Sequence, residues 1–173
     1  MKKVLREKVL KSRKRDKVKD ELVFKNLLSL IKDFKKVAIY SSIKEEPLLD
    51  SFWGELEKEV YLPIFKEKGF ARFIGKENLI LSKYNILEPS GKLIDINLLD
   101  AIIIPCLAVD KKGARLGYGS GFYDQVLKDY QGLKIGVAYS EFYLDVCFKE
   151  AHDIVLDFLV TEKGIIKFGK KNV

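Results

Sequence analysis

The sequence has only two cysteines among its 173 residues, Cys106 and Cys147, and they form no CxxC pair. We therefore expect neither a disulfide framework nor a structural zinc site, and a reducing cytoplasm suits the chain. It also lacks a signal-peptide pattern and any apolar stretch long enough to span a membrane. No internal repeat, low-complexity tract or linker interrupts it. These absences predict a cytoplasmic protein without a membrane partner.

The composition is that of a folded globular protein. Hydrophobic residues make up 47% of the chain and charged residues 33%, so enough apolar side chains are present to form a core. A chain of this length has one domain by default, and two would be cramped. We therefore expect residues 1–173 to form a single domain. A monomer is the expected working form, although chain length does not decide it.

The positive charge is concentrated near the N-terminus. The formal net charge is +7, but residues 1–36 hold 14 Lys or Arg against 5 Asp or Glu, whereas the remainder holds 18 against 20. Such a segment favours an anionic partner: a nucleic acid, a membrane surface, or a polyphosphate together with a polyanionic substrate. An ordinary solvated helix face would explain most of these lysines equally well.

Hydrophobic periodicity predicts alternating helices and strands. Two helices are expected within Lys2–Phe34, separated by the polar run Ser12–Lys19, and Asp16 is a candidate cap for the second. Further helices are expected from the Glu45–Pro47 turn to about Leu56 and over Phe122–Tyr130. Apolar runs predict strands at Val37–Tyr40, Val60–Phe65, Ala101–Pro105, Leu133–Ala138 and Ile154–Thr161, with shorter pieces around Arg72–Ile74, Leu79–Leu81 and Gly164–Phe168. This alternation predicts an α/β fold: a three-layer α/β/α domain with a mostly parallel, Rossmann-like sheet.

The most informative segment is Arg115–Asp124, which has glycines at the alternate positions 117, 119 and 121. It follows a predicted buried strand and precedes a predicted helix. Glycines allow the backbone to approach an anion closely, and successive backbone amides can form an anion-binding nest next to a helix start. Arg115 adds positive charge, and the Asp124 carboxylate could hold Mg²⁺ against phosphate. This combination favours a nucleotide phosphate site over a flexible surface loop.

Two common nucleotide motifs are excluded. A dinucleotide fingerprint requires G-x-G-x-x-G, but Phe122 occupies the position of the third glycine. A Walker A loop requires G-x-x-x-x-G-K-[ST]; the run from Gly164 instead ends in Lys171, and only two residues remain for the required helix.

The run Ile104–Asp110, Gly113 and Arg115–Asp124 resembles the signature block of the 5-formyltetrahydrofolate cyclo-ligase family. Other matches occur in the expected order: the N-terminal K-x-x-L-R at Lys2–Arg6, Glu46 after the first strand, and Tyr61–Pro63. They continue with Gly136–Tyr139, His152–Asp153 and Val160–Glu162. The resemblance spans nearly the whole chain, and its glycine-rich block is the most specific part.

The resemblance implies an ATP- and Mg²⁺-dependent reaction. 5-Formyltetrahydrofolate would be cyclised to 5,10-methenyltetrahydrofolate, with release of ADP and phosphate, in one-carbon metabolism. The formyl oxygen would be phosphorylated, the N10 nitrogen would close the ring, and no protein nucleophile would be needed. The enzyme would then act by positioning the substrates and by neutralising charge on the transferring phosphoryl group.

The resemblance also implies roles for particular residues. Arg115 and Lys2 would be catalytic, and Asp124 and Asp153 would bind Mg²⁺. The implied ATP-binding set is Lys2, Lys3, Val4, Leu5, Arg6, Arg115, Leu116, Gly117, Tyr118, Gly119, Ser120, Gly121, Phe122 and Tyr123. The implied folate-binding set is Arg6, Glu46, Tyr118, Gly119, Ser120, Gly121 and Phe122.

Several residues keep a purely structural alternative. Lys2 and Arg6, one helical turn apart, could be ordinary helix charge, and Asp153 could be a turn residue beside His152. Glu46 could be a helix-start acid that interacts with the helix dipole, and the aromatics at positions 118, 122 and 123 could be plain packing. Phe52, Trp53 and Cys106 are expected in the core.

Two alternative functions remain open. A paralogous enzyme could use the same ATP loop on a different metabolite. A basic RNA-binding module is a second possibility, but RNA binding usually pairs basic residues with stacking aromatics. The basic run Lys11–Lys19 contains no aromatic residue, so nucleic acid is not the expected partner.

Overall fold

The computed structural model describes residues 1–171 and Val173. Over these residues the chain forms three α-helices and twelve β-strands. The helices are α1 (Lys2–Ser12), α2 (Lys17–Ile31) and α3 (Phe122–Val126). The strands are β1 (Lys36–Ala38), β2 (Glu59–Ile64), β3 (Gly69–Phe73), β4 (Leu79–Leu81), β5 (Leu87–Pro89), β6 (Ala101–Pro105), β7 (Ala108–Asp110), β8 (Arg115–Leu116), β9 (Leu133–Val137), β10 (Tyr143–Leu144), β11 (Phe158–Thr161) and β12 (Gly164–Lys167).

Seven strands form the main sheet, in the order β12-β11-β9-β6-β1-β2-β3. The five inner strands are parallel, and the two edge strands, β12 and β3, pair antiparallel to their neighbours. Helix α2 packs against β11 and β12. The predicted α/β fold with a mostly parallel sheet is confirmed.

The inner strands are nearly all apolar because they are covered on both faces. Every residue of β6 is buried, and the same hydrophobic core runs from Val9 in α1 to Val160 in β11. The chain proceeds from β1 outward to β2, and later places β6 on the other side of β1. This reversal opens a crevice at the carboxyl ends of β1 and β6, which is where open parallel sheets bind ligands.

The prediction of a helix that begins at Glu45–Pro47 is wrong. Residues 41–49 are irregular, with a turn at Lys44 and Glu45, and a 3-10 helix, Asp50–Glu55, follows them. Local side chains capture the backbone: the Ser42 amide donates to Asp50 Oδ1 at 2.9 Å, and the Tyr40 and Ser42 hydroxyls donate to the Pro47 carbonyl at 2.8 and 3.0 Å. Such side-chain bonds compete with helical hydrogen bonds. Glu46 therefore does not lie at a helix start.

Two other elements are shorter than predicted. Helix α3 ends at Val126 rather than Tyr130, so its dipole contributes less to the neighbouring loop than a full helix would. The last parallel strand begins at Phe158 rather than Ile154. Three other predictions are confirmed. A strand forms at Leu79–Leu81, and another, Gly164–Lys167, forms near the C-terminus and pairs with β11. The Asp16 side chain caps α2 by accepting from the Lys19 amide. Among the helices described here, none combines the length and apolarity needed to cross a membrane.

Candidate active site

The glycine-rich loop is held at the end of β6 by a small hairpin. Strands β7 and β8 pair antiparallel, and the fully buried Asp110 accepts hydrogen bonds from the Lys112 and Ala114 amides at 2.9 Å. The same carboxylate accepts from the amides of Phe148 and Lys149. Four hydrogen bonds from backbone amides offset the free-energy cost of burying this carboxylate. They also connect the hairpin to the segment that carries Asp153.

The loop itself uses glycine where the backbone requires it. Gly119 and Gly121 have φ values of +101° and +74°, a region that residues with a Cβ rarely adopt. At Gly117 the backbone is ordinary, but a Cβ there would lie 2.7 Å from Arg115 Nη1 and would displace the guanidinium. Arg115 is further fixed by its Nε, which donates to the Pro105 carbonyl at 2.9 Å, and it lies over the Tyr123 ring.

Three basic side chains, from α1 and from the residue that follows it, contact this loop and the segment around Asp153. Lys2 Nζ donates to both carboxylate oxygens of Asp153 at 2.6 and 2.7 Å, and Arg6 Nε donates to the Gly117 carbonyl at 2.7 Å. Arg13, at the end of the helix, donates to the Tyr118 hydroxyl at 2.7 Å. Positions 2 and 6 lie one turn apart on one face of α1, and Arg13 directly follows the last helical residue.

A polar cavity of about 250 Å³ lies between α1, the loop and the segment around Asp153. It brings together both proposed catalytic residues, both proposed metal ligands and the whole of Leu116–Tyr123. Lys3, Val4 and Leu5 are not among the lining residues; Val4 is 71% exposed, whereas Leu5 packs against the core. Of the N-terminal motif, only Lys2 and Arg6 therefore face this cavity.

The region around Asp153 favours a cation. Burial lowers the pKa of the Lys2 ammonium, but its hydrogen bonds to Asp153 and Glu150 outweigh that effect and raise the pKa overall. Burial likewise raises the pKa of Asp153, but the bond from Lys2 reverses the effect and the net pKa is lowered. Donor atoms of Glu150, His152 and Asp153 lie within 4.8 Å of one another. Asp153 also accepts from the Glu150 amide, so it is a turn residue as well.

An apolar cavity of about 530 Å³ lies on the other side of the loop, at the crevice between β1 and β6. Its size is typical of sites for small molecules. Five residues line both cavities: Arg115, Tyr118, Ser120, Phe122 and Tyr123. The rest of the apolar cavity is lined by Tyr40, Ser41, Ile43, Lys44, Glu46, Phe65, Lys68, Tyr84, Ile86, Pro105 and Gln125.

Glu46 is the buried acid of the apolar cavity. Only 1% of its surface is exposed, and its Oε2 accepts from the Ile43 amide at 2.9 Å. Burial raises its pKa to about 7, although that hydrogen bond and the charges of Arg13 and Arg115 act in the opposite direction. A carboxyl poised near neutrality and surrounded by aromatic rings is typical of a functional site.

The aromatic residues of the loop both pack and line the cavities. Phe122 contacts Phe65 and Phe70, with ring centroids 4.6 and 6.0 Å away, and is 7% exposed. Tyr123 is buried, which raises the pKa of its hydroxyl, and that hydroxyl has no hydrogen-bond partner among the described residues. Cys106 is buried, which raises its pKa to about 11; Trp53 is also buried, as expected of core residues.

Sequence reasoning missed Lys44, Lys68 and Glu150, which line the two cavities, and it also missed Arg13. Arg13 is buried, although it lies in a lysine-rich run that is expected to be mostly solvated. No spacing or motif marks it, because its partner Tyr118 is 105 residues away.

Gly117→Ala should weaken MgATP binding without unfolding the protein. The φ of Gly117 is not in the left-handed region, so the new methyl group is tolerated by the backbone but displaces the Arg115 guanidinium. We expect about a tenfold weaker affinity, the equivalent of about 1.4 kcal/mol. Calorimetric titration with ATP and a thermal melt would check this.

Gly54→Ala is the matched control, because a Cβ there meets no atom within 4 Å. Equal ATP affinity in the two variants would contradict the proposed position of the Arg115 guanidinium.

Comparisons with known proteins agree with the motif block. Residues 1–162 match the model of the 5-formyltetrahydrofolate cyclo-ligase family. The 5-formyltetrahydrofolate cyclo-ligase of Haemophilus influenzae is 32% identical over 137 residues, covering 69% of this chain and 73% of that protein. The Escherichia coli protein of the same name is 31% identical over 144 residues, covering 75% and 79%.

A solved structure supports the same assignment. The 5,10-methenyltetrahydrofolate synthetase of Aquifex aeolicus superposes with a TM-score of 0.88 and 37% identity, covering 99% of this chain and 95% of that one. The resemblance inferred from the glycine-rich block is therefore confirmed: the chain belongs to the 5-formyltetrahydrofolate cyclo-ligase family, and is an enzyme of that family.

Proposed function

We propose that this enzyme converts 5-formyltetrahydrofolate and MgATP to 5,10-methenyltetrahydrofolate, ADP and phosphate. The observation that carries the proposal is the pair of adjoining cavities with a shared lining that includes Arg115. A charged cavity beside an aromatic one suits a polyphosphate reacting with a flat heterocycle. The proposed working form is a cytoplasmic monomer whose partners are these two small molecules.

The polar cavity would bind ATP phosphates. Lys2, Arg6 and Arg115 bring three positive charges to a small space that residues 117–121 also line. Arg115, between the two cavities, would neutralise charge on the phosphoryl group as it moves from one substrate to the other. Lys2 would neutralise phosphate charge from the α1 side of the cavity, once its ion pair with Asp153 is broken.

The residues near Asp153 fit Mg²⁺. Asp153 already holds a positive charge, Lys2, and Asp124 is an exposed carboxylate that lines the same cavity. Hard carboxylate oxygens are the ligands Mg²⁺ prefers, so these two would hold the ion, with Glu150 close to Asp153. When bound, Mg²⁺ would supply charge neutralisation at the phosphates.

The apolar cavity would bind the folate. The ionised Glu46 carboxylate would accept hydrogen bonds from the N–H groups of the pterin ring, and Tyr118 and Phe122 offer flat surfaces beside it. Lys44 and Lys68 line the same cavity, and Lys44 is exposed. They would receive the glutamyl carboxylates of the substrate tail.

The chemistry then requires positioning rather than a protein nucleophile. The formyl oxygen would attack the γ-phosphorus of ATP and expel ADP. The N10 nitrogen would attack the formyl carbon and lose its proton, and the carbon–oxygen bond would break to release phosphate. Buried aromatic residues and the closely packed loop would limit access of water to the phosphorylated intermediate, which water would otherwise hydrolyse.

The direct test is an activity assay. Purified protein with 5-formyltetrahydrofolate and MgATP should form the methenyl product, observed as a rise in near-ultraviolet absorbance. Activity lost on omitting either ATP or Mg²⁺ would support both halves of the proposal.

Other outcomes would separate the two halves. ATP binding without product would keep the loop assignment and move the chain to a different metabolite. Tight, salt-sensitive binding of an RNA oligonucleotide, with no product, would favour the nucleic-acid alternative. Neither binding nor product in a well-folded sample would defeat the proposal.

A further inference from the structure

Arg13 is buried in a segment that is otherwise exposed. It ends α1, its amide donates to the Val9 carbonyl at 3.0 Å, and its backbone is extended where the chain turns toward α2. Only 5% of Arg13 is exposed, whereas Ser12 and Lys14 on either side are exposed to solvent. A guanidinium is costly to bury, so this position requires compensation from its surroundings.

The hydrogen bonds of Arg13 are incomplete. Nη1 donates to the Tyr118 hydroxyl, and the guanidinium carbon lies 5.9 Å from the centre of the Tyr118 ring. Nη2 is buried and has no hydrogen-bond partner among the described residues. A structural arginine would normally satisfy its donors, so the position of this cation is not explained by packing alone.

The electrostatic partner of Arg13 is Glu46. The charge of Arg13 lowers the pKa of Glu46 more than the charge of Arg115 does, and Tyr118 lines the same cavity as Glu46. Burial raises the pKa of Tyr118 to about 12, so its hydroxyl stays neutral. Arg13 is hydrogen-bonded to Tyr118, and Tyr118 shares a cavity with Glu46; we term these three residues the Arg13 group.

Other titratable or charged residues also surround Glu46. Arg15 Nε donates to the Glu46 carbonyl at 3.1 Å, so it contacts the backbone. The acid also influences, through space, the buried hydroxyl or thiol groups of Tyr40, Tyr123 and Cys106. These groups are neutral at physiological pH. Lys44 lines the same cavity, with its Nζ 5.0 Å from the centre of the Tyr118 ring, and Arg13 and Arg115 are the two cations whose charges lower the pKa of Glu46 most.

We propose that Arg13 is a positioning residue that holds Tyr118 between the two cavities and keeps Glu46 in its carboxylate form for ring recognition. Arg13 lines neither cavity, so it acts through the other two members of the Arg13 group. An ionised acid accepts two N–H donors, whereas the protonated acid offers a donor of its own and recognises the ring less well. The recognition part of this inference rests on the proposed folate function; the effect on Glu46 does not.

The first test needs no substrate. The Glu46 carboxyl signal is followed by NMR as a function of pH in ¹³C-labelled wild type and Arg13→Gln. The signal is assigned by its absence from the spectrum of Glu46→Gln. We expect the Glu46 midpoint to rise by about one pH unit when the cation is removed, a tenfold change in its ionisation constant. Lys14→Gln, the same charge change at an exposed neighbour, should leave the midpoint unchanged, and Arg13→Lys should restore most of it. An unchanged midpoint in folded Arg13→Gln would overturn the inference.

The second test measures function. Arg13→Gln should raise the KM for 5-formyltetrahydrofolate about five- to tenfold at pH 7. A rise of about one unit in the pKa of Glu46 would lower its ionised fraction at this pH by about that factor. The loss should shrink as the pH rises to 9, because Glu46 then ionises without help, and the KM for ATP should stay within about twofold. A loss that is equal at every pH, or equal for both substrates, would indicate a merely structural role and defeat the proposal. A wild type that lacks activity would refute the folate function but leave the NMR result intact.

Discussion

Arg115→Ala should lower kcat/KM for ATP by about a hundredfold to a thousandfold while leaving the fold intact. Removing one preformed donor to a developing negative charge costs about that much in other enzymes. Arg115 lines both cavities and is held in place by the Pro105 carbonyl and the Tyr123 ring, so its guanidinium needs no rearrangement to act. Steady-state kinetics with varied ATP, together with a circular dichroism melt, would measure both parts.

Two further variants sharpen the Arg115 test. Arg115→Lys keeps the charge but loses the planar, bidentate geometry, so we expect partial recovery only. Arg72→Ala makes the same change on the edge strand β3, where Arg72 pairs loosely with Glu59 at 3.7 Å, and should be neutral. An Arg115→Ala enzyme with wild-type KM and kcat would contradict the assignment of the polar cavity to ATP.

Glu46→Gln should make the protein more stable and less active. The pKa of Glu46 is raised from 4.5 to about 7, so the folded state binds this proton more tightly than the unfolded state does. The wild type therefore loses stability as the pH rises from about 4.5 to about 7, whereas the amide of the variant does not titrate. We expect the variant to exceed the wild type by about 3 kcal/mol above pH 8 and by little at pH 4. Denaturant unfolding at several pH values would measure this difference.

The same substitution should impair use of the folate. An amide cannot accept both ring N–H groups as a carboxylate does, and losing a charged hydrogen bond predicts about a tenfold to hundredfold drop in kcat/KM for 5-formyltetrahydrofolate. ATP affinity should be unchanged. Glu45→Gln is the control, since Glu45 is exposed beside it. A stability gain that does not depend on pH would mean that Glu46 is not the buried acid described above.

Much of the fold could be predicted from local pattern. The buried strands around positions 101–105 and 133–138 are apolar runs bounded by polar residues, and such runs form strands wherever both faces are covered. The glycine-rich loop was predictable too, because glycine at 119 and 121 reflects a local backbone requirement. Both signals lie in consecutive residues.

The helix expected after Pro47 does not form because its backbone is bound elsewhere. Pro47 and the acids before it fit a helix start, but the Tyr40 and Ser42 hydroxyls donate to the Pro47 carbonyl. A hydrogen bond from a side chain seven residues away changes the local preference, and no propensity scale includes it.

The sequence by itself determined the fold class, the glycine-rich loop and the family, since each depends on the order of neighbouring residues. Only the tertiary structure decided the electrostatics of the site. Lys2 meets Asp153 across 151 residues, and Arg13 meets Tyr118 across 105. The pKa of Glu46 depends mainly on its burial and on the charges of Arg13 and Arg115, which lie far from it in sequence. Desolvation and charge interactions are set by distance in space, so a lysine-rich run can contain a buried cation whose charge lowers the pKa of an acid far away in sequence.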